Sequence, residues 1–271
     1  MMRALYTAAT GMIAQQTNVD NISNNLANVN TVGYKQEKTE FKSLLYQTIQ
    51  TKTTSANGEQ KPISAQVGLG TRVAANTSIY TQGAMIQSEN STDFAISGDG
   101  FFSVRGADGK TYYTRSGNFN WAVGTNGVTL STTEGYPVLD TAGNPIILPN
   151  GVNAENVTVS EAGIISYRTP TGANVTTNQK IGVFQFNNPG GLNKEGSNLL
   201  AVTPASGNAL SEATTAGLTK SKVMQNWLEG SNVQVADEMV NMIIAQRAYQ
   251  LNSKAITTAD EMLEQANNLR R

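Results

Sequence analysis

The chain has 271 residues, 19 Lys and Arg against 20 Asp and Glu, a net charge of −1, and neither Cys nor His. That length can bury a sizeable core in one to three domains, and the balanced charge leaves no basic excess to neutralise phosphates, so nucleic acid is not an expected partner. The missing Cys and His exclude disulfides, thiol catalysis, imidazole or thiolate metal sites and His-dependent triads.

Charged residues make up 14% of the chain, against roughly 25% in average globular proteins. Uncharged polar residues fill the gap, with 29 Asn and 31 Thr. No apolar run approaches the about 18 residues of a membrane-spanning helix. The N-terminus, Met1-Met2-Arg3-Ala4-Leu5-Tyr6-Thr7-Ala8-Ala9-Thr10, fits a cleaved secretory signal poorly. It has one basic residue, and Thr7, Thr10, Gln15 and Gln16 interrupt its apolar run.

Residues 4–30 lack Pro, and Leu5, Met12, Val19 and Leu26 recur every seven positions, with Ile22 and Val29 at the offset of three. This spacing predicts a long amphipathic helix with Asn, Gln and Thr on its other face. Asn18, Asn21, Asn24, Asn25, Asn28 and Asn30 lower its intrinsic propensity, so alone it would be marginal in water. Gly33 is the expected stop. Residues 36–75 read as a polar connector, with helical character at Phe41, Leu44, Leu45 and Ile49 and a Thr-, Ser-, Gln- and Lys-rich stretch over 51–66.

From about Ile79 to Leu218 the apolar period becomes two, with turn signals every 8–12 residues. Phe101–Arg105 and Thr111–Arg115 flank Ala107-Asp108-Gly109-Lys110, a hairpin signal. Asn126-Gly127 precedes Val128-Thr129-Leu130, and Tyr136–Leu139 and Ile146–Leu148 flank Ala142-Gly143-Asn144-Pro145. Val157–Val159, Ile164–Tyr167 and Ile181–Phe186 are further expected strands.

The C-terminal end is helical again. Ser231 and Gln234 have capping-box spacing, Asp237 and Glu238 suit the start of the helix, and Arg270 and Arg271 suit its end. No Gly or Pro follows up to Leu269. Ala245, Ala248, Ala255, Ala259, Met262, Ala266 and Leu269 fall on one seam, with Met242, Tyr249, Ile256 and Leu263 beside it. Small residues on a seam let helices approach closely.

The expected fold class is therefore α+β: long N- and C-terminal helices forming a coiled-coil layer, with an antiparallel β-rich domain inserted between them. The boundaries read as 1–33 and 231–271 for the helical domain, 34–78 for the connector, 79–220 for the β-rich domain and 221–230 for a return linker. A helical hairpin packed within a monomer is one reading of the two stripes. The other is that each helix finds partners on neighbouring subunits, since stripes at the ends of a chain fray unless tied down.

No catalytic, cofactor or metal site is nominated. Gly68-Leu69-Gly70 and Gly98-Asp99-Gly100 do not complete a dinucleotide fingerprint, because Val73 and Ser103 stand at the third glycine positions. They read as turn glycines beside strands. Asp93, Asp99 and Asp108 form no calcium loop. Ser221-Lys222 and Ser253-Lys254 are neighbours without a dyad arrangement.

Several segments carry a resemblance. Asn25-Leu26-Ala27-Asn28, Thr31 and Gly33-Tyr34-Lys35 come first, then Asp93 to Val104, then Tyr113-Thr114-Arg115-Ser116-Gly117-Asn118-Phe119. Glu229-Gly230-Ser231-Asn232-Val233, Glu238-Met239, Met242-Ile243, Gln246-Arg247-Ala248-Tyr249, Asn252 and Ala259-Asp260-Glu261-Met262-Leu263 follow. In this order they resemble the bacterial flagellar rod and hook proteins over the whole chain. The length is unlike the larger hook members and the two shorter proximal rod members, and the stretch 226–233 taken with 246–249 is less similar to the proximal rod member of comparable size.

The resemblance implies a non-enzymatic subunit of a helical homopolymer without a cofactor, located in the flagellar basal body and exported by the flagellar type III route without a cleaved signal. The implied partners are further copies of itself, proximal rod proteins, the hook protein, surrounding ring proteins and the export apparatus. It implies that residues 46–66 occupy the place of a stretch associated with a straight, stiff rod. The competing readings are another rod or hook subunit, a cell-surface adhesive β protein, and, last, a wall hydrolase.

Overall fold

The computed structural model describes residues 2–50, 65–124, 127–149, 156–169, 173–215 and 217–269. The chain divides into two compact units. One comprises 1–27, 37–78 and 234–271; the other comprises 28–36 and 79–233.

The first unit holds two long helices and a β ribbon. Helix α1 spans Met2–Ala27. Its Thr and Ser side chains fold back onto its own carbonyls: Thr7 onto Ala4, Thr10 onto Thr7, Thr17 onto Ile13 and Ser23 onto Val19. These back-bonds satisfy the hydroxyls but slightly weaken the helix, in keeping with its low intrinsic propensity. Strands β1 (Glu37–Ser43), β2 (Tyr46–Gln50), β3 (Ala65–Gly68) and β4 (Thr71–Ser78) follow. β1 pairs antiparallel with β4, and β2 with β3. Leu44 N–H to Gly70 O and Leu69 N–H to Leu45 O join the two ladders into one ribbon.

This corrects the helical expectation for Phe41, Leu44, Leu45 and Ile49. The partners that make the segment extended lie about twenty to thirty residues downstream, beyond the reach of a local pattern. The stretch 51–64, most of the expected stiff-rod segment, lies outside the described residues.

Helix α1 sits on this ribbon. The Asn25 amide donates to Glu37 O at 2.8 Å and accepts from Glu37 N–H at 2.9 Å, as a neighbouring strand would. Asn21 donates to Thr39 Oγ1 at 2.9 Å. Gly70, at φ +119°, lets the ribbon approach the helix, because a Cβ there would lie 2.2 Å from Thr10 Oγ1. Helix α2 spans Val235–Asn268. The expected capping box does not form. Gln234 is the N-cap and makes no side-chain cap bond, while Ser231 Oγ instead accepts from Val233 N–H. Arg270 and Arg271 lie outside the described residues.

The second unit is built of short strands. They are β5 (Met85–Gln87), β6 (Phe94–Ser97), β7 (Phe101–Arg105), β8 (Thr111–Thr114), β9 (Phe119–Gly124), β10 (Gly127–Thr132), β11 (Ile147–Leu148) and β12 (Val157–Val159). They continue with β13 (Ile164–Arg168), β14 (Asn174–Lys180), β15 (Val183–Gln185), β16 (Asn193–Gly196), β17 (Leu199–Ala201), β18 (Leu210–Ser211), β19 (Lys222–Gln225) and β20 (Trp227–Glu229). The largest sheet has the order β16-β17-β8-β7-β15-β18; β11-β10-β9 and β12-β13-β14 form three-stranded sheets. The last two strands return to early ones, β19 to β6 and β20 to β5.

The β7–β8 hairpin forms where the turn residues place it, with Phe102 opposite Thr114 and Arg105 opposite Thr111. Gly109 takes φ +77° at its tip. Tyr136–Leu139 makes isolated bridges rather than a ladder. Of the Asn126-Gly127 turn only Gly127, at φ +137°, is described. The core gathers Phe94, Ile96, Phe102, Val104, Phe119, Leu130, Ile146, Leu148, Ile165 and Ile181. A smaller cluster of Phe101, Tyr113, Phe186, Leu192 and Leu200 lies beside it. Aromatic edges meet faces in both, as in Phe102–Phe119 at 5.2 Å and Tyr113–Phe186 at 4.9 Å.

At α1 the chain leaves the helix earlier than expected. The helix ends at Ala27, not at Gly33. Within the β-rich unit, Asn28 O accepts from Thr31 N–H and Asn28 Oδ1 from Thr31 Oγ1 in a turn. Gly33, at φ +71°, packs where a Cβ would lie 2.5 Å from Ser116 N.

Candidate assembly surface

In the helical unit the two helices run antiparallel. Asn25 approaches Glu238, with Nδ2 to Oε1 at 3.5 Å. Gly11 faces Asn252, whose Nδ2 would lie 2.8 Å from a Cβ at Gly11. The interval is fourteen residues on each helix, so the two run alongside each other between these points.

The inner line of α2 is Glu238, Met242, Ala245, Asn252, Ile256, Ala259 and Leu263. Glu238, Ala245 and Ala259 are fully buried. The inner residues of α1 include Ala8, Ala14, Asn21, Ile22 and Asn25. Small side chains let the backbones close up, and Asn25 with Glu238 supplies a hydrogen bond across the pair.

The expected seam residues divide between two faces. Leu5, Met12, Val19, Leu26, Met242, Ala248, Ile256 and Leu263 are half-buried, and Ile22, Ala245 and Ala259 are buried. Val29 is half-buried in the turn beyond α1. Tyr249, Ala255, Met262, Ala266 and Leu269 are exposed.

Of the exposed ones, Met262 and Leu269 belong to a second apolar line on α2. Val240, Ile244, Leu251, Met262 and Leu269 follow one another at four, seven, eleven and seven residues, which is helical spacing. Leu251 is 69% exposed and Ile244 60%. On α1, Met2, Tyr6 and Ile13 are exposed in the same manner, and Met2 and Tyr6 border an apolar recess with Leu44, Leu45 and Leu69. Uncovered apolar side chains at helical spacing make these lines candidates for contact with another molecule.

Sequence reasoning missed the polar members of the inner line. Asn21, Asn25, Glu238 and Asn252 were assigned by polarity to the outer face or to none, although Asn25 and Glu238 occupy heptad positions. The rejected glycine pairs are turns. Gly98 takes φ +133°, and Gly100 N–H donates to Ser221 Oγ at 3.2 Å.

The β-rich unit contains a buried ionic centre that sequence reasoning did not pick out. Glu229, fully buried, accepts from Lys35 Nζ at 2.6 Å, Arg115 Nη1 at 3.2 Å and Gly83 N–H at 3.0 Å. Arg115 also donates through Nη2 to Gly98 O at 2.6 Å and lies over the Phe101 ring. Burial pushes the Lys35 ammonium and the Arg115 guanidinium below their ordinary pKa values, and Glu229 opposes that shift in both. All three residues lie in the segments that carry the family resemblance, but no spacing rule joins positions this far apart.

Uncovered apolar stripes on paired helices are the kind of surface by which a structural subunit meets further subunits. The flagella basal body rod protein profile matches residues 5–35, the flagellar hook protein FlgE/F/G D1 domain profile matches 95–167, and the flagellar basal body rod FlgEFG protein C-terminal profile matches 224–269. The chain is 45% identical to the flagellar basal-body rod protein FlgG of Borreliella burgdorferi over the full length of both. It is 42% identical to that of Agrobacterium fabrum, covering 96% of this chain and 97% of that protein. It is 40% identical to that of Caulobacter vibrioides, covering 99% and 100%. The chain belongs to the flagellar basal-body rod protein family, whose members are structural and not enzymes. Among the described residues no helix is long and apolar enough to cross a membrane.

Proposed function

We propose that this chain is the distal rod subunit of the bacterial flagellum, polymerising into the drive shaft that carries motor torque to the hook. The observation that carries the polymer reading is the second apolar line on α2, Val240 to Leu269, left uncovered while the first is filled by α1. The full-length likeness to rod proteins says which polymer.

In this reading the terminal helices pair as a coiled coil and form the inner layer of the tube, and the exposed seam residues meet the helices of neighbouring copies. A repeated head-to-tail contact that does not close into a ring generates a filament. Torque is then shared among many weak contacts summed over the lattice. The further partners are proximal rod proteins on one side, the hook protein on the other, surrounding ring proteins, and the export apparatus. The chain reaches the envelope by the flagellar type III route. Its lack of Cys suits travel as an unfolded chain, because no oxidation step is needed afterwards.

Deletion of the gene followed by electron microscopy of isolated basal bodies tests the assignment. A rod that stops short and bears no hook is expected. A full-length rod lacking its hook would move the protein to the hook, and normal flagella would overturn the reading.

A further inference from the structure

The chain passes between the two units at 27/28, 36/37, 78/79 and 233/234. On the β-rich side, three of these crossings are tied together by one side chain. Asn232 Oδ1 accepts from Gln36 N–H at 2.7 Å, and its Nδ2 donates to Ile79 O at 2.8 Å. Ile79 N–H donates to Gln36 O at 2.8 Å. Three residues upstream, Glu229 binds Lys35 and Arg115 through its carboxylate, and its backbone oxygen accepts from Gly33 N–H at 2.8 Å. Gly83 has no room for a side chain here, since a Cβ would lie 2.0 Å from Gly230 O.

We propose that Glu229 and Asn232 form a latch that closes last, after the β core has formed, and so determines when the exits to the helical unit are brought together. Two physical arguments order the events. Lys35 and Glu229 are 194 residues apart and Arg115 and Glu229 are 114 apart, so their closure follows the local hairpins that shorten the loop. A charged triad is also costly to desolvate unless its donors are already aimed. Arg115 is aimed from nearby in sequence, by Gly98 O and the Phe101 ring. Glu229 then arrives on β20, the last strand of the unit.

The device is independent of the rod reading. It keeps the connections to both terminal helices loose in any chain whose residues 227–233 have not seated. In an exported polymer subunit, this would postpone the ordering of the ends until the whole chain is available.

The two tryptophans allow a test in the full chain. Trp121 packs against the main core, and Trp227 lies on β20. Refolding from denaturant is followed in W227F, which reports the core through Trp121, and in W121F, which reports the latch strand. The Trp121 signal is expected to recover at least threefold faster than the Trp227 signal. With Glu229→Gln added, unfolding should accelerate at least tenfold while the Trp121 refolding rate stays within twofold. If both signals recover in one phase, or if Glu229→Gln slows core refolding as much as it weakens the fold, the latch is part of the folding nucleus and the proposal fails. Should the Glu229→Gln chain not fold, the order of the two signals in the parent single-tryptophan chains decides. None of these outcomes bears on whether the protein builds rods.

Discussion

The two units solve the burial problem in opposite ways. The β-rich unit packs large side chains to zero or near-zero exposure, with Phe102, Val104, Ile146, Leu148, Ile165 and Ile181 all at 0%. Its two buried cations, Lys35 and Arg115, share the buried carboxylate of Glu229. The helical unit buries mostly alanines and amides, against the partner helix and the ribbon, and leaves Ile243, Ile244, Leu251 and Met262 in solvent. One unit finishes its own core, and the other leaves part of its apolar surface uncovered. A polymer subunit needs both, because the first fixes a shape that the second repeats.

The sharpest way to break that contrast is to make the same kind of lesion in each unit. Phe102→Ala removes a fully buried ring stacked edge-on against Phe119 and should destabilise the β-rich unit by about 3–5 kcal/mol. Denaturant unfolding followed by Trp121 fluorescence measures it. A loss below about 1 kcal/mol would mean that the core packs less tightly than its burial implies.

The reverse lesion is Leu251→Asp on the exposed line of α2. It should leave the unfolding of the soluble chain within about 0.5 kcal/mol of the parent, as surface changes do. Polymerisation should require at least tenfold more protein, because every subunit in the lattice would bury the new carboxylate. Sedimentation of assembled against soluble protein reads this directly. Normal assembly by Leu251→Asp would show that the line is not a contact.

The reach of the sequence follows the same division. The C-terminal helix was legible because its heptad spacing is local and no Gly or Pro interrupts residues 235–268. The β7–β8 hairpin was legible because its turn residues sit between its strands. The β1–β4 pairing was not, since most positions in β1 face solvent and Thr39 alone is buried. No period-two signal survives such exposure. Asn21 and Asn25 misled for a related reason: a polar residue reads as outward-facing, but these two are buried because their amides bond to the ribbon.

The spacing gives one seam from Ala245 to Leu269, with Met242, Tyr249, Ile256 and Leu263 beside it. In the structure it is split between an inner line and an outer one that lies roughly one position away around the helix. The ionic centre combines residues from positions 35, 115 and 229, and only the folded sheet places them side by side.

The smallest expected effect separates the two aromatic clusters by pH. Tyr113 is buried against Phe184 and Phe186, and burial raises its phenol above the ordinary value of 10.0. The folded state therefore holds this proton more tightly than the unfolded chain does. The contribution is fully present below the unfolded value and is lost as pH rises through the folded one. Lys35 acts in the opposite sense. Its depressed value means that the unfolded chain binds more protons in the window below 10.5, so its contribution rises with pH there. Tyr113→Phe removes the first effect and keeps the second. Between pH 9 and 11, the stability of Tyr113→Phe relative to the parent should increase steadily, as read by thermal unfolding at matched ionic strength. A constant difference across that range would mean that the Tyr113 hydroxyl ionises in the folded unit as readily as in water, and that the smaller aromatic cluster opens to solvent where the main core does not.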